Sequence, residues 1–156
     1  MAAGSGTRVG GEIPKQYRLI GGESILSRAI KPLLEHPKIS SVTVVISELD
    51  ESLFRQHCGH LKNISFTFGG KDRQESVRLG LDSLSKQNPE FVLIHDAARP
   101  FVSSTIIRRL INSLKKNKVV FPVIPIVDAI WQKTKIKNSD FNLSPGPDRS
   151  NFFLYG

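Results

Sequence analysis

The run Ser41-Val42-Thr43-Val44-Val45-Ile46-Ser47 decides how this chain is read. Val42, Val44, Val45 and Ile46 are β-branched and apolar, which suits a strand covered on both faces. Upstream, Ile25, Leu26, Ala29, Ile30, Leu33 and Leu34 recur on one helical face, with Ser24 placed to cap it. Downstream, a short polar helix is expected near Asp50 to His57. Ile64-Ser65-Phe66-Thr67-Phe68 then alternates as a strand and stops at Gly69-Gly70. A helix from Asp72 carries Val77, Gly80, Leu81 and Leu84 inward, and Phe91-Val92-Leu93-Ile94-His95 reads as the next strand. Ser103 or Ser104 caps a helix with Ile106, Ile107, Leu110, Ile111 and Leu114 on its apolar side. Val119 to Ile126 reads as a further strand, held to an edge or bulged course by Pro122 and Pro125.

Strands alternating with helices predict an α/β fold, a Rossmann-like mainly parallel sheet with helices on both faces. In such sheets ligands sit beyond the carboxyl ends of the strands. Gly69-Gly70-Lys71-Asp72 and His95-Asp96-Ala97-Ala98-Arg99-Pro100 both follow strand ends, so they should share one rim. The glycine-rich turn Ala2-Ala3-Gly4-Ser5-Gly6-Thr7-Arg8 and the later Pro14-Lys15-Gln16-Tyr17 belong on the same rim. Small residues let backbone N–H groups approach phosphate oxygens, while Arg8 and Lys15 add fixed positive charge. Taken alone, the turn is also readable as an ordinary loop. It lacks the spacing of the dinucleotide fingerprint, and no glycine stands where a Walker loop needs one before Lys-Ser or Lys-Thr. A phosphate loop of this kind normally follows a buried strand, yet here it begins at Met1.

The 156 residues suit one domain with a real core. The net charge of +8 is spread over single and paired basic residues, without the long basic run or interleaved aromatics of a nucleic-acid binder. A small polyanionic substrate is the expected partner, against the alternative of a merely basic surface. A single cysteine, Cys58, excludes an internal disulfide and a cysteine zinc site. No apolar stretch approaches the ~20 residues of a membrane span, and the first residues lack the regions of a signal peptide. A cytoplasmic protein without nucleic-acid or membrane partners is expected.

The ordered series Gly4-Ser5-Gly6-Thr7-Arg8, Pro14-Lys15-Gln16-Tyr17, Gly69 to Ser76 and His95 to Pro100 closely resembles the 2-C-methyl-D-erythritol 4-phosphate cytidylyltransferases of the nucleotidyltransferase superfamily. The likeness runs from Ala2 to about Asp128 and returns at Asp148-Arg149-Ser150. It implies a nucleotidyltransferase-type sheet and transfer of CMP from CTP to a methylerythritol phosphate in the non-mevalonate route to isoprenoids, with release of pyrophosphate. A ribitol- or related polyol-phosphate cytidylyltransferase is the runner-up, since those relatives share the CTP side of the site. On this resemblance Arg8 and Lys15 are the catalytic cations, and Mg²⁺ is held mainly by CTP phosphates. Ala2, Ala3, Gly4 and Gly6 match the cytidine-binding loop, and Gly70, Lys71 and Ser76 match the base-recognition segment. Asp96, Ala97 and Arg99 match positions facing ribose and acceptor. For Asp96 and Arg99 the plainer alternative is that they cap the next helix or pair with each other. Arg73 is expected on an exposed helix face without a chemical role.

The resemblance also implies a projecting β-arm whose arginine, here Arg149, reaches the acceptor phosphate of a partner subunit, and hence a homodimer if the arm is intact. Ala129 and Trp131 stand where the family usually has threonine and lysine. Ser144-Pro145-Gly146-Pro147 interrupts the expected strand. Residues 127–156 are therefore expected as a partial β-arm or a disordered tail of one incomplete nucleotidyltransferase domain over residues 1–156. The resemblance implies a further strand before the loop and some seventy more residues at the C-terminus. The alternative from another class is a truncated, non-catalytic remnant that keeps nucleotide-binding segments only.

Overall fold

The computed structural model describes residues 1–4, 13–134, 142–146, 148, 150 and 153–155. They fall into two units, Met1–Ile111 and Asn112–Gly156.

The first unit is α/β. A 3-10 turn over Lys15–Tyr17 leads into the hairpin strands β1 (Leu19–Ile20) and β2 (Glu23–Ser24). Their two-residue turn is Gly21-Gly22, with φ of +57° and +80°. That left-handed pair is the geometry of a tight hairpin, which residues lacking a Cβ adopt without strain. Helix α1 (Ile25–Leu34) starts where the Ser24 hydroxyl accepts a hydrogen bond from the Ser27 N–H at 3.1 Å. It buries Leu26, Ala29 and Ile30.

Strand β3 (Val42–Ile46) pairs in parallel with β4 (Ile64–Phe68), Val42 opposite Ile64 and Ile46 opposite Phe68. Between them run a 3-10 turn (Glu48–Asp50) and α2 (Glu51–Cys58). Helix α3 (Arg73–Leu84) follows β4, capped by the Asp72 carboxylate on the Glu75 N–H at 2.8 Å. Strand parity separates the two faces of β3. Val44 and Ile46 join Leu26, Ile30, Phe54 and Cys58 in the core. Val45 points the other way: a Cβ added at Gly80 of α3 would come within 2.8 Å of its methyl group. Helices therefore cover both faces, as the β-branched run requires.

Phe91–His95, expected as a strand, forms no ladder among the described residues. Its carboxyl end instead meets the first residue of the chain. The Met1 ammonium donates to the His95 carbonyl at 2.6 Å, and the Ala97 N–H donates to the Met1 carbonyl at 3.0 Å. A strand exists by virtue of its neighbours, and among the described residues Met1 is the one bonded along this edge. Helix α4 (Ser104–Leu114) begins at the Ser103 hydroxyl, which accepts from the Ile106 N–H at 3.3 Å.

In the second unit β5 (Val123–Pro125) pairs antiparallel with β8 (Phe153–Tyr155), and β6 (Trp131–Thr134) with β7 (Asn142–Pro145). The strand expected over Val119 to Ile126 is thus cut to three residues. Pro122 and Pro125 carry no N–H for a longer ladder. Pro145 lies opposite Trp131 at the end of its ladder, a position that tolerates the missing donor.

Candidate nucleotide site

The site begins with the placement of residues 1–4. The Ala2 N–H donates to the Val45 carbonyl at 2.7 Å, and Met1 is bonded to His95 and Ala97. Two residues thus lie between β3 and the 95–97 segment. Ala2 and Ala97 are buried, and small side chains are what that spacing admits. The turn is held from beneath by Gln16. Its amide nitrogen donates to the Ala2 carbonyl at 2.8 Å, the Gly4 carbonyl at 3.3 Å and the Asp50 carboxylate at 3.3 Å. Three acceptors around one nitrogen fix which way the amide points. Burial raises the pKa of Asp50, and the hydrogen bond from Gln16 opposes that rise.

The second segment abuts the first. A Cβ on Gly69 would fall 2.5 Å from the Ala3 Cβ and 2.8 Å from the Ser76 hydroxyl, so the two turns pass each other only because Gly69 has none. The Gly70 N–H donates to the Ser76 hydroxyl at 3.0 Å, and the Lys71 N–H donates to the Glu75 carboxylate at 3.0 Å. Ser76 is buried and shapes the loop, while Lys71 is exposed at its tip.

At the third segment an Arg73 guanidinium nitrogen lies 2.7 Å from one Asp96 oxygen, and Arg99 Nε lies 3.5 Å from the other. Burial alone would raise the Asp96 carboxyl. The Arg73 hydrogen bond and the charges of Arg73 and Arg99 outweigh it and hold the group below the ordinary carboxylate range. His95 Nε2 lies 2.9 Å from the Arg99 carbonyl, an orienting contact, and burial lowers its pKa. Burial likewise lowers the pKa of the Met1 ammonium, against the charge of Asp96.

The structure therefore brings Ala2, Ala3, Gly4, Gly70, Lys71, Ser76, Asp96, Ala97 and Arg99 to one rim of the first unit. Lys15 stands in the 3-10 turn immediately before Gln16. Gly6, Arg8 and Arg149 lie outside the described residues. The plainer alternative for Asp96 and Arg99, that they pair with each other, is part of what is seen. Three residues that organise the rim were given no role from sequence: Gln16, Asp50 and Arg73. Gln16 sat inside a quoted motif, and Asp50 follows the end of a strand, the position where carboxylates matter in parallel sheets. Arg73 is exposed, as expected, yet it is also the closest cation to Asp96 among the described residues.

The family profile for IspD, 2-C-methyl-D-erythritol 4-phosphate cytidylyltransferase, matches residues 1–153. The bifunctional enzyme IspD/IspF of Bradyrhizobium diazoefficiens is 41% identical over 150 residues, 96% of this chain and 37% of that protein. Its counterpart in Paramagnetospirillum magneticum is 39% identical over 153 residues, 98% of this chain and 38% of that one. Among solved structures, the 4-diphosphocytidyl-2C-methyl-D-erythritol synthase of Anaerococcus prevotii superposes with a TM-score of 0.79 at 27% identity. It covers 99% of this chain and 63% of its own. The bifunctional IspDF of Campylobacter jejuni gives 0.74 at 25% identity over 99% of this chain and 37% of its own. The chain thus spans less than two fifths of the length of these bifunctional relatives. With the glycine-rich turn, the Gly69–Ser76 loop and the His95–Arg99 segment assembled on one rim of an α/β sheet, the chain belongs to the 2-C-methyl-D-erythritol 4-phosphate cytidylyltransferase family.

Proposed function

We propose that this chain carries the CTP-binding part of a cytidylyltransferase that transfers CMP from CTP to 2-C-methyl-D-erythritol 4-phosphate. The observation that carries this reading is the seating of Met1–Gly4 between β3 and the 95–97 segment, which brings three separate stretches of sequence to one rim. An oxygen of the acceptor phosphate attacks the α-phosphorus of CTP, the bond to the bridging oxygen breaks, and pyrophosphate leaves with that electron pair. A phosphate dianion is already a nucleophile, so no protein base is required. The barrier lies in bringing two anions together and in charge that grows on the leaving oxygens.

Arg8 and Lys15 are assigned to that charge. Backbone groups of Ala2, Ala3, Gly4 and Gly6 cradle the nucleotide, Gly70, Lys71 and Ser76 frame the base, and Asp96, Ala97 and Arg99 face ribose and acceptor. Both oxygens of Asp96 face guanidinium groups. That donor set fits Mg²⁺ as a guest of the triphosphate, bound through phosphate oxygens and water. When bound, the ion would offset phosphate charge. We assign the protein to the cytoplasm, and no helix among the described residues is long and apolar enough to cross a membrane. Arg149 is assigned to the acceptor phosphate of a second copy, in a homodimer.

Pyrophosphate release from CTP by the 156-residue chain tests this reading, with 2-C-methyl-D-erythritol 4-phosphate and ribitol 5-phosphate as rival acceptors. Turnover dependent on the methylerythritol acceptor is expected, with Arg8→Ala and Lys15→Ala each lowering it about a hundredfold or more. Preference for ribitol phosphate would reassign the acceptor. No turnover with either would leave the chain a nucleotide-binding fragment, and wild-type rates in both variants would remove those residues from the mechanism.

A further inference from the structure

The turn from Gly69 to Lys71 spends its donors within the chain. The Gly69 N–H donates to the Ile46 carbonyl at 2.8 Å, the Gly70 N–H to the Ser76 hydroxyl at 3.0 Å, and the Lys71 N–H to Glu75 Oε2 at 3.0 Å. Three successive amides are thus occupied, the last two by side chains from the start of α3. A trans peptide points its carbonyl opposite to its N–H. The carbonyls of Gly69 and Gly70 therefore turn away from the groups that hold the amides, and Gly70 keeps only a long contact of 3.4 Å with the Ser76 hydroxyl. A ligand facing this turn meets acceptors.

Glu75 sets half of that polarity. Its side chain folds back over the turn: a Cβ on Gly70 would fall 2.3 Å from its Cγ and 2.5 Å from Oε2, a course that glycine alone admits. The Glu75 backbone is fixed in turn, since its N–H donates to the Asp72 carboxylate at 2.8 Å. In an ordinary capping box the glutamate returns to the N–H of the capping residue, here Asp72. Glu75 instead reaches one residue further, into the segment that carries the loop tip.

We propose that Glu75 is the positioning residue by which this site distinguishes cytosine from uracil. The inference rests on the reading in which Gly70, Lys71 and Ser76 frame the base of the nucleotide. Cytosine presents an amino donor where uracil presents an oxygen acceptor. Against outward carbonyls the amino group pairs, whereas the uracil oxygen meets like partial charge and no N–H. Without the Glu75 carboxylate the Lys71 N–H is released, and the turn gains a donor that the uracil oxygen can use.

The test titrates the 156-residue chain with CTP and with UTP, in the presence of Mg²⁺, by calorimetry, beside Glu75→Ala and Glu75→Gln. Glu75→Ala should lower the preference for CTP over UTP about tenfold, with UTP affinity rising. Glu75→Gln keeps an acceptor oxygen and should hold the parent preference. Loss of a helix cap alone would weaken both nucleotides equally. In the free chain, hydrogen exchange of the Lys71 amide read by NMR should quicken about tenfold in Glu75→Ala and stay near the parent rate in Glu75→Gln. Unchanged Lys71 exchange in Glu75→Ala overturns the positioning contact. An unchanged CTP-to-UTP ratio in a Glu75→Ala chain that still binds CTP overturns the specificity role and leaves the cytidylyltransferase reading standing. A parent chain that binds neither nucleotide overturns both.

Discussion

Gln16→Ala should loosen Met1–Gly4 while removing no group assigned to substrate. The parent side chain is almost wholly buried and spends its amide nitrogen on Ala2, Gly4 and Asp50. The Ala2 bond, at 2.8 Å, has ideal length for a neutral pair, roughly 0.5–1.5 kcal/mol net. The Asp50 bond has a charged acceptor but is long at 3.3 Å, so it belongs at the low end of roughly 1.5–3 kcal/mol. The Gly4 contact, equally long and neutral, adds little. Their sum is about 2–3 kcal/mol, and at about 2–4 °C per kcal/mol for a chain of this size the Tm should fall by about 4–12 °C. Gln16→Glu should be worse at neutral pH, because a carboxylate would face two carbonyls and a second carboxylate. It should recover part of the loss below about pH 4, when it can donate again. Differential scanning calorimetry at pH 7 and pH 4 reads both variants. A Gln16→Ala Tm within about 1 °C of the parent, or Gln16→Glu more stable than Gln16→Ala at pH 7, would refute the anchoring role.

Two further outcomes follow from the titrating groups. Asp96 has a lowered folded pKa, so its stabilisation is complete above the ordinary carboxylate value near pH ~4 and is lost as pH falls through the folded value. Urea unfolding of Asp96→Asn should therefore depend less on pH below about 4 than that of the parent, and identical slopes would contradict the ion-pair account. Cys58 is buried, and burial, with Glu23 nearby, pushes its thiol up to about 11. At pH 8 only about one molecule in a thousand carries thiolate, so iodoacetamide should label the folded chain slowly and the urea-unfolded chain quickly. Rapid labelling of the folded chain would show that Cys58 is not packed as described.

Elements whose pattern is local were legible in the sequence. Helices α1 and α3 and strands β3 and β4 follow from spacing alone, and the Ser24 cap is visible because a capping serine acts on a residue three positions away. Phe91–His95 has the composition of a strand as plainly as β3 does, yet a ladder needs partners on either side, and composition does not supply them. The hairpin of β1 and β2 went unread, although the adjacent glycines Gly21 and Gly22 are its signal. The same division runs through the site. Motif segments were recognisable because each is contiguous, whereas the contacts joining them span long separations: 34 positions from Gln16 to Asp50, and 23 from Arg73 to Asp96.

The Arg73 contact changes what Asp96 can do. A carboxylate read as facing ribose has one oxygen bonded to Arg73 and the other close to Arg99. If the proposed function holds, a ribose hydroxyl has to share or displace a guanidinium to reach it. Arg73 is the exposed member of its pair, held to Asp96 rather than packed into the core, so it can turn outward at small cost. On the proposed function, displacing it would leave a second mobile cation near the phosphates of CTP. The acidic residue of this rim is thus part of a cationic surface, since Asp96 holds Arg73 and Arg99 in place there.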